Sequence, residues 1–453
     1  MLELSQVLAI VIFLAMFIAI IIGKIHRYIP ALIGAALTIV LVFLVAMKSP
    51  HTALSVFNLA QLGQVRFWIP KHEPVASQGI NWQTVIFIAG MMTMVEGIAE
   101  VGFFNWLCLL VARLTNYRVV PILIGFMLLS GLLSMFIDSI TVLLFMTTVT
   151  INLARLLKFD PVPVIIAMIL TANIGGAATM AGDPPNIIVG TAFGYTFTDF
   201  LMNTGAIAWA GIAVSVVVFF FAIRKSLTTA SDKGRAFERA QLTPGKAIIN
   251  PFLFKVNLAI FLLVIALLVT HAQTGLSVSA IGVIAGSLTL LAAFRRAPEI
   301  IKRVDWRTLL FFLGLFVAVE GLTETGVLKI LAEYLGRASK GNFTVMITII
   351  LWISAFASAI IDNVPFAATM VPVVRNLAQA GGFSLPALAW ALSLGTDIGG
   401  NATPIGASAN VVGIAIAERE GHHISWGRFL KYGLPSMILV VDLSWFLLLI
   451  RYS

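Results

Sequence analysis

More than any other feature, an internal duplication limits what this chain can fold into. The segment WQTVIFIAGMMTMVEGIAEVG, from Trp82, lies over WRTLLFFLGLFVAVEGLTETG, from Trp306, ungapped at an offset of 224, with 9 of 21 positions identical. At the same offset Asp138 falls on Asp362. NIGGAATMAGDPPNIIV, from Asn173, falls on DIGGNATPIGASANVVG, from Asp397, with 7 of 17 identical. The first two apolar segments also match, but at an offset of 248, with Ile33-Gly34 on Ile281-Gly282. A longer loop around His51 to Ile80 absorbs the difference of 24. One structural unit is therefore built twice. The expected organisation is a first repeat over 1–223, a linker over 224–251 and a second repeat over 252–453.

The solvent of that unit is lipid. Hydrophobic residues make up 60% of the 453 positions and charged residues 11%, whereas soluble domains carry roughly 25% charged residues. Apolar runs that can cross about 30 Å of hydrocarbon fall near 4–22, 29–47, 82–99, 203–223, 253–271, 277–294, 306–322 and 432–450. The first run lacks a basic flank before it and a small-residue cleavage site after it, so it reads as a retained helix. Cys108 is the one cysteine, sits in an apolar run and reads as a packing thiol. The six histidines fall in loops or at helix ends and give no ligand set for a metal hydrolase. No Walker-type loop occurs. Neither a cofactor nor a nucleic-acid partner is expected, and the net charge of +9 reports basic cytoplasmic loops.

Charge also orients the repeats. With five crossings and one re-entrant hairpin per repeat and a cytoplasmic linker, 21 of the 29 Lys and Arg fall inside, Lys24, Arg27 and seven linker residues among them. An odd number of crossings inverts the second copy and puts both termini outside. The expected fold is an all-α polytopic membrane protein: two inverted repeats, about ten transmembrane helices, two re-entrant hairpins and two broken helices. Inverted repeats with interrupted helices are the signature of a secondary transporter.

Two irregular segments recur in each half. One is a hairpin tip, Asp138-Ser139-Ile140-Thr141 and its mate Asp362-Asn363-Val364-Pro365. A carboxylate there is costly in lipid and points to a wet or protein-lined cavity, although Asp is also a good helix N-cap. The other is an unwound stretch from Asn173 through Asp183-Pro184-Pro185-Asn186, mirrored from Asp397 through Ser408-Ala409-Asn410. Pro184 and Pro185 suit the start of a half-helix with Asp183 as N-cap. Freed carbonyls would favour a cation, and the half-helix N-termini an oxyanion or hydroxyl. Thr179, Asn401 and Thr403 add neutral polar groups. Glu96, Glu100, Glu320 and Glu324 end the third helix of each repeat, where a carboxylate can simply reach the interface; Asp442 aligns with nothing.

SMFIDSITVLLFMTTVTI, GGAATMAGDPPNIIVG, IDNVPFAATMVPVV and GGNATPIGASANVVGIAIAERE resemble the ion transporter superfamily, nearest its arsenite permease (ArsB), P-protein and NhaD-like branch, with the dicarboxylate (DASS) transporters as relatives. The resemblance covers nearly the whole chain. It implies a moving body of hairpins and broken helices beside a scaffold that often forms a homodimer. The dicarboxylate branch carries Ser-Asn-Thr at both tips, and here the tips begin with Asp138 and Asp362. Added carboxylates repel citrate or succinate and suit a proton, sodium or a neutral hydroxylated solute such as As(OH)3.

The leading expectation is proton-coupled efflux of a small inorganic solute, arsenite or antimonite, across a prokaryotic inner membrane, with no enzyme activity. Asp138, Asp183, Asp362 and Asp397 would carry the coupling charge. Ser139, Thr141, Asn173, Thr179, Asn186, Asn363, Asn401, Thr403, Ser408 and Asn410 would line the site. Sodium/proton antiport, anion transport and an ion channel are the alternatives. The basic linker could also dock a cytoplasmic ATPase subunit, though such linkers more often only set topology.

Overall fold

The computed structural model of the chain describes residues 3–70, 78–227 and 243–452. Most of the expected linker and part of the long 51–80 loop thus lie outside the described residues. The described residues are helical, with no strand among them. Nine principal helices build the first copy. They are α1 (Leu4–Ile22), α2 (Tyr28–Leu37, continued by a π-helical Thr38–Ala46), α3 (Trp82–Glu100), α4 (Phe103–Leu114) and α5 (Val119–Ser134). The remainder are α6 (Ser139–Leu157), α7 (Val162–Gly176), α8 (Pro184–Phe193) and α9 (Ala206–Leu227).

Nine more answer them in the same order. They are α10 (Pro251–Thr274), α11 (Val278–Ala293), α12 (Trp306–Glu324), α13 (Val327–Ala338) and α14 (Phe343–Ile360). Then follow α15 (Asn363–Gly381), α16 (Leu385–Gly399), α17 (Ser408–Arg419) and α18 (Trp426–Tyr452). The third, fourth and sixth helices of each copy start and stop at an offset of 224. Equal sequence has produced equal local structure. Ten helices among the described residues are long and apolar enough to span a bilayer. Two of them, α6 and α14, are hairpin arms.

The broken helices lie at the centre. Every residue of α7 is buried, as is α16 from Ala387 to Gly399; helices apolar on all sides belong inside a bundle. α5 packs on α7 and α14 on α16, closing each hairpin around its own broken helix. The half-helices cross over: α8 packs on α15, and α17 on α6. Each copy thereby finishes the other's core.

An outer framework exchanges partners as well. α11 lies along α3, and α2 along α12. A Cβ on Gly90 would sit 1.9 Å from the Gly282 carbonyl oxygen, and one on Gly314 would sit 2.5 Å from the Ala31 backbone. Backbones this close require a missing side chain. In lipid, where burying apolar surface drives little association, close backbone packing is what holds helices together.

Candidate functional site

Four chain ends converge between framework and core: the hairpin tips before α6 and α15, and the N-termini of α8 and α17. They enclose a cavity of about 40 Å³ whose lining includes Asp138, Ser139, Asp183, Asn363, Ser408 and Arg27. A water needs about 10–15 Å³ measured this way, so this conformation holds one to a few waters or a solute of that size.

At the first tip, the capping reading of the aspartate holds. Asp138 Oδ1 accepts from the Thr141 amide at 3.0 Å and Oδ2 from the Thr141 hydroxyl at 2.7 Å, so both oxygens start α6. Ser139 donates instead to Asp183 Oδ1 at 2.8 Å. Asp183 sits at the N-cap position of α8 but caps nothing. Pro184 and Pro185 remove the first two helical N–H groups, and the third, on Asn186, goes to the Asp183 main-chain carbonyl at 3.1 Å rather than to its carboxylate. For the same reason this half-helix start is not the oxyanion cradle that its position suggests. Asp183 is 3% exposed, and its Oδ2 has no partner. A carboxylate oxygen isolated in the interior is neutralised by a proton or a cation.

The second tip is built differently. Asp362 Oδ1 caps α15 through the Val364 amide at 3.2 Å. Its Oδ2 accepts from the Ser408 hydroxyl at 2.5 Å and from Arg27 Nη1 at 3.0 Å. Arg27 also donates to Ser408 Oγ at 2.6 Å and, through Nη2, to Thr308 Oγ1 at 2.8 Å. Its guanidinium stands 5.0 Å over the Phe311 ring. Sequence reasoning counted Arg27 as a topology charge and missed it here, because nothing in GKIHRY distinguishes an inward arginine from one at the membrane surface.

The unwound stretches satisfy themselves. Asn186 Nδ2 donates to the Gly176 and Thr179 carbonyls at 2.8 and 3.2 Å, and Asn410 Nδ2 to those of Gly400 and Thr403 at 2.7 and 2.8 Å. These carbonyls, expected to face a cation, are held by amides. Thr179 donates to the Met135 carbonyl, and Thr403 to that of Ala359 at 2.5 Å, pinning each break to its own hairpin. A Cβ on Gly182 would lie 2.3 Å from the Gly176 carbonyl oxygen, so glycine is required for that approach.

The two breaks are joined by a polar knot. Asn173 donates to Asn410 Oδ1 and Asn401 Oδ1, each at 2.8 Å, and Asn186 donates to Asp397 Oδ2 at 2.8 Å. Asn173 and Asp397 are mates in the repeat, both fully buried, and each leaves its Oδ1 unpartnered. The expected site residues thus fall into two groups. Asp138, Ser139, Asp183, Asn363 and Ser408 line the cavity, with Asp362 joined to it through Ser408. Asn173, Asn186, Asp397, Asn401 and Asn410 form the knot, while Thr141, Thr179 and Thr403 hold backbone and tip. Glu100 pairs with Arg296 at 3.2 Å. Glu320 and Glu324 line a separate cavity of about 190 Å³ together with Arg375.

Duplicated helical repeats whose hairpins and broken helices meet at a small cavity, walled mainly by apolar side chains such as Phe87, Met91 and Phe312 with a few polar groups among them, are the build of a membrane transporter. The citrate transporter family model matches residues 17–395, and the chain belongs to that family. It is 32% identical over 449 residues to an uncharacterized transporter of Mycobacterium bovis, covering 99% of each chain. It is 30% identical over 459 residues to the P protein of Homo sapiens, covering 82% of this chain and 54% of that one. Among solved structures, the YdaH transporter of Alcanivorax borkumensis shares its fold, with a TM-score of 0.56, 15% identity and 88% of each chain covered.

Proposed function

We propose that this transporter couples proton movement to the export of a small, uncharged, hydroxylated inorganic solute, with arsenite or antimonite as the candidates. The observation that carries the reading is Asp183, a buried carboxylate with one oxygen free at a cavity of about 40 Å³. A proton or a small cation can occupy that oxygen and leave it. The hydroxyl protons of Ser139, Ser408 and Thr308 beside it are committed to Asp183, Asp362 and Asp305, so these groups offer lone pairs to a solute that donates hydrogen bonds. The family is described by citrate, but three carboxylates, Asp138, Asp183 and Asp362, stand here against one arginine. That balance opposes a polyanion. We further propose an inner-membrane homodimer with both termini extracytoplasmic, as the distribution of basic residues favours.

Sodium/proton antiport is the second reading, because the free Asp183 oxygen would serve sodium as well as a proton. Purified protein in liposomes under an imposed pH gradient separates the two. Lumenal pH is followed while Na+, Li+, arsenite, antimonite, chloride, succinate and citrate are added singly. Collapse with arsenite or antimonite alone supports export. Collapse with sodium or lithium alone makes the protein an antiporter, and collapse with citrate alone refutes the charge argument.

A further inference from the structure

The two copies differ in charge where their tips meet the framework. The mate of Asp183 at the 224 offset is Ala407, so the second copy has no carboxylate at that position. Conversely, Arg27 aligns at the 248 offset with Gly275, and Arg27 is the one arginine among the described residues that line the cavity. One half of the pseudo-symmetric site therefore holds a fixed cation, and the other holds an acid with a free oxygen.

We propose that Arg27 is a built-in cation: it fills from the framework the cation position of the second copy, leaving the position at Asp183 as the one open to a mobile ion. The contacts at this tip are those of a bound cation. The guanidinium is held by the Asp362 carboxylate at 3.0 Å and by the hydroxyls of Ser408 and Thr308 at 2.6 and 2.8 Å. Phe311 covers it from the side at 5.0 Å. Thr308 is itself fixed, donating to Asp305 Oδ2 at 2.5 Å, so the framework half of the cradle is rigid. A guanidinium has no proton to lose near neutral pH. It fixes the charge at this tip, whereas Asp183 can change its occupancy.

The same contact ties core to framework. Arg27 and Thr308 belong to the framework, while Asp362 and Ser408 belong to the hairpin and half-helix of the core. Any sliding of core against framework breaks two of the three hydrogen bonds of Arg27 and exposes Asp362 without a counter-ion. The inference rests on reading the tips as an ion site, and its test needs no transported solute.

The test is chemical rescue of Arg27→Ala. The purified variant is melted in detergent with increasing low concentrations of guanidinium chloride, with sodium chloride at matched ionic strength as the control. The expected result is a saturable rise in melting temperature with guanidinium only, absent in the wild type and in Arg27→Ala/Asp362→Asn. No rise in the single variant, or an equal rise in the wild type, overturns the proposal. Where Arg27→Ala does not survive purification, Arg27→Gln takes its place in the same titration. A wild-type protein that moves no proton under any condition would count against the coupling reading and leave the rescue result standing.

Discussion

Replacing Asp183 with asparagine removes a charge while keeping shape, and the structure fixes the cost. An ionised carboxylate offers about four acceptor sites; Asp183 has one filled, by Ser139 at 2.8 Å, in a residue 3% exposed. Leaving a buried acceptor unsatisfied costs about 1–3 kcal/mol, and more when it is charged. The amide keeps the Ser139 bond as a neutral one and removes the charge, while its NH2 takes the place of the unpartnered Oδ2 and offsets part of that gain. The repeat supplies an internal control, since Ala407 occupies the equivalent place and α17 still forms after it. Asp183→Asn is therefore expected to fold with stability unchanged or raised by about 1 kcal/mol, a shift of about 1–3 °C for a chain of this length. Coupled transport should fall to background. The measurements are tryptophan-monitored melting in detergent and solute-driven pH-gradient collapse in liposomes. A variant that melts several degrees lower, or that still couples like the wild type, refutes the assignment of Asp183 as the exchanging group.

Other outcomes follow from the same geometry. Gly182→Ala is expected to lose about 1–3 kcal/mol or fail to insert, because backbone oxygens of Gly176 and Ser134 would lie 2.3 and 2.6 Å from the new Cβ; expression and melting temperature report it. Asn410→Ala removes two bonds across one break and one of the two acceptors of Asn173. It should cost about 2–4 kcal/mol, read as a lower melting temperature with the Asn186 side of the site intact. Asp397→Asn copies the repeat mate Asn173 and should fold normally. Retained coupling then identifies Asp397 as a permanently neutral member of the knot, and lost coupling as a second exchanging acid.

Element boundaries were legible because the chain states them twice. Trp82 and Trp306 open matching helices, and Asp138 and Asp362 mark matching turns, so a local signal that is weak in one copy is confirmed by the other. Three things stayed hidden. The roles of Thr179, Thr403 and the paired asparagines depend on which backbone groups an unwound stretch frees, and their types alone do not show whether they face a solute or a carbonyl. The exchange of α2 and α11 between copies is a matter of tertiary packing, with no periodicity to betray it. Arg27 reaches a residue 335 positions away and reads locally as an ordinary interfacial charge. In hindsight its signal lay in disagreement between the copies. Similarity located the paired tips and breaks, and the mismatches Asp183 with Ala407 and Arg27 with Gly275 mark where the proposed chemistry differs between them.

The exchanged framework also bears on how the protein is made. α2 and its extension end at Ala46, and the helix they lie along, α12, begins at Trp306, about 260 residues later. At a synthesis rate of about 5–20 residues per second, the first copy waits on the order of ten to fifty seconds in the bilayer with that flank unclosed. The close glycine contact that completes α3 must also wait for α11. A first half expressed alone should therefore be a client of membrane quality control rather than a stable domain, and the two halves, supplied as separate chains, should need each other to accumulate.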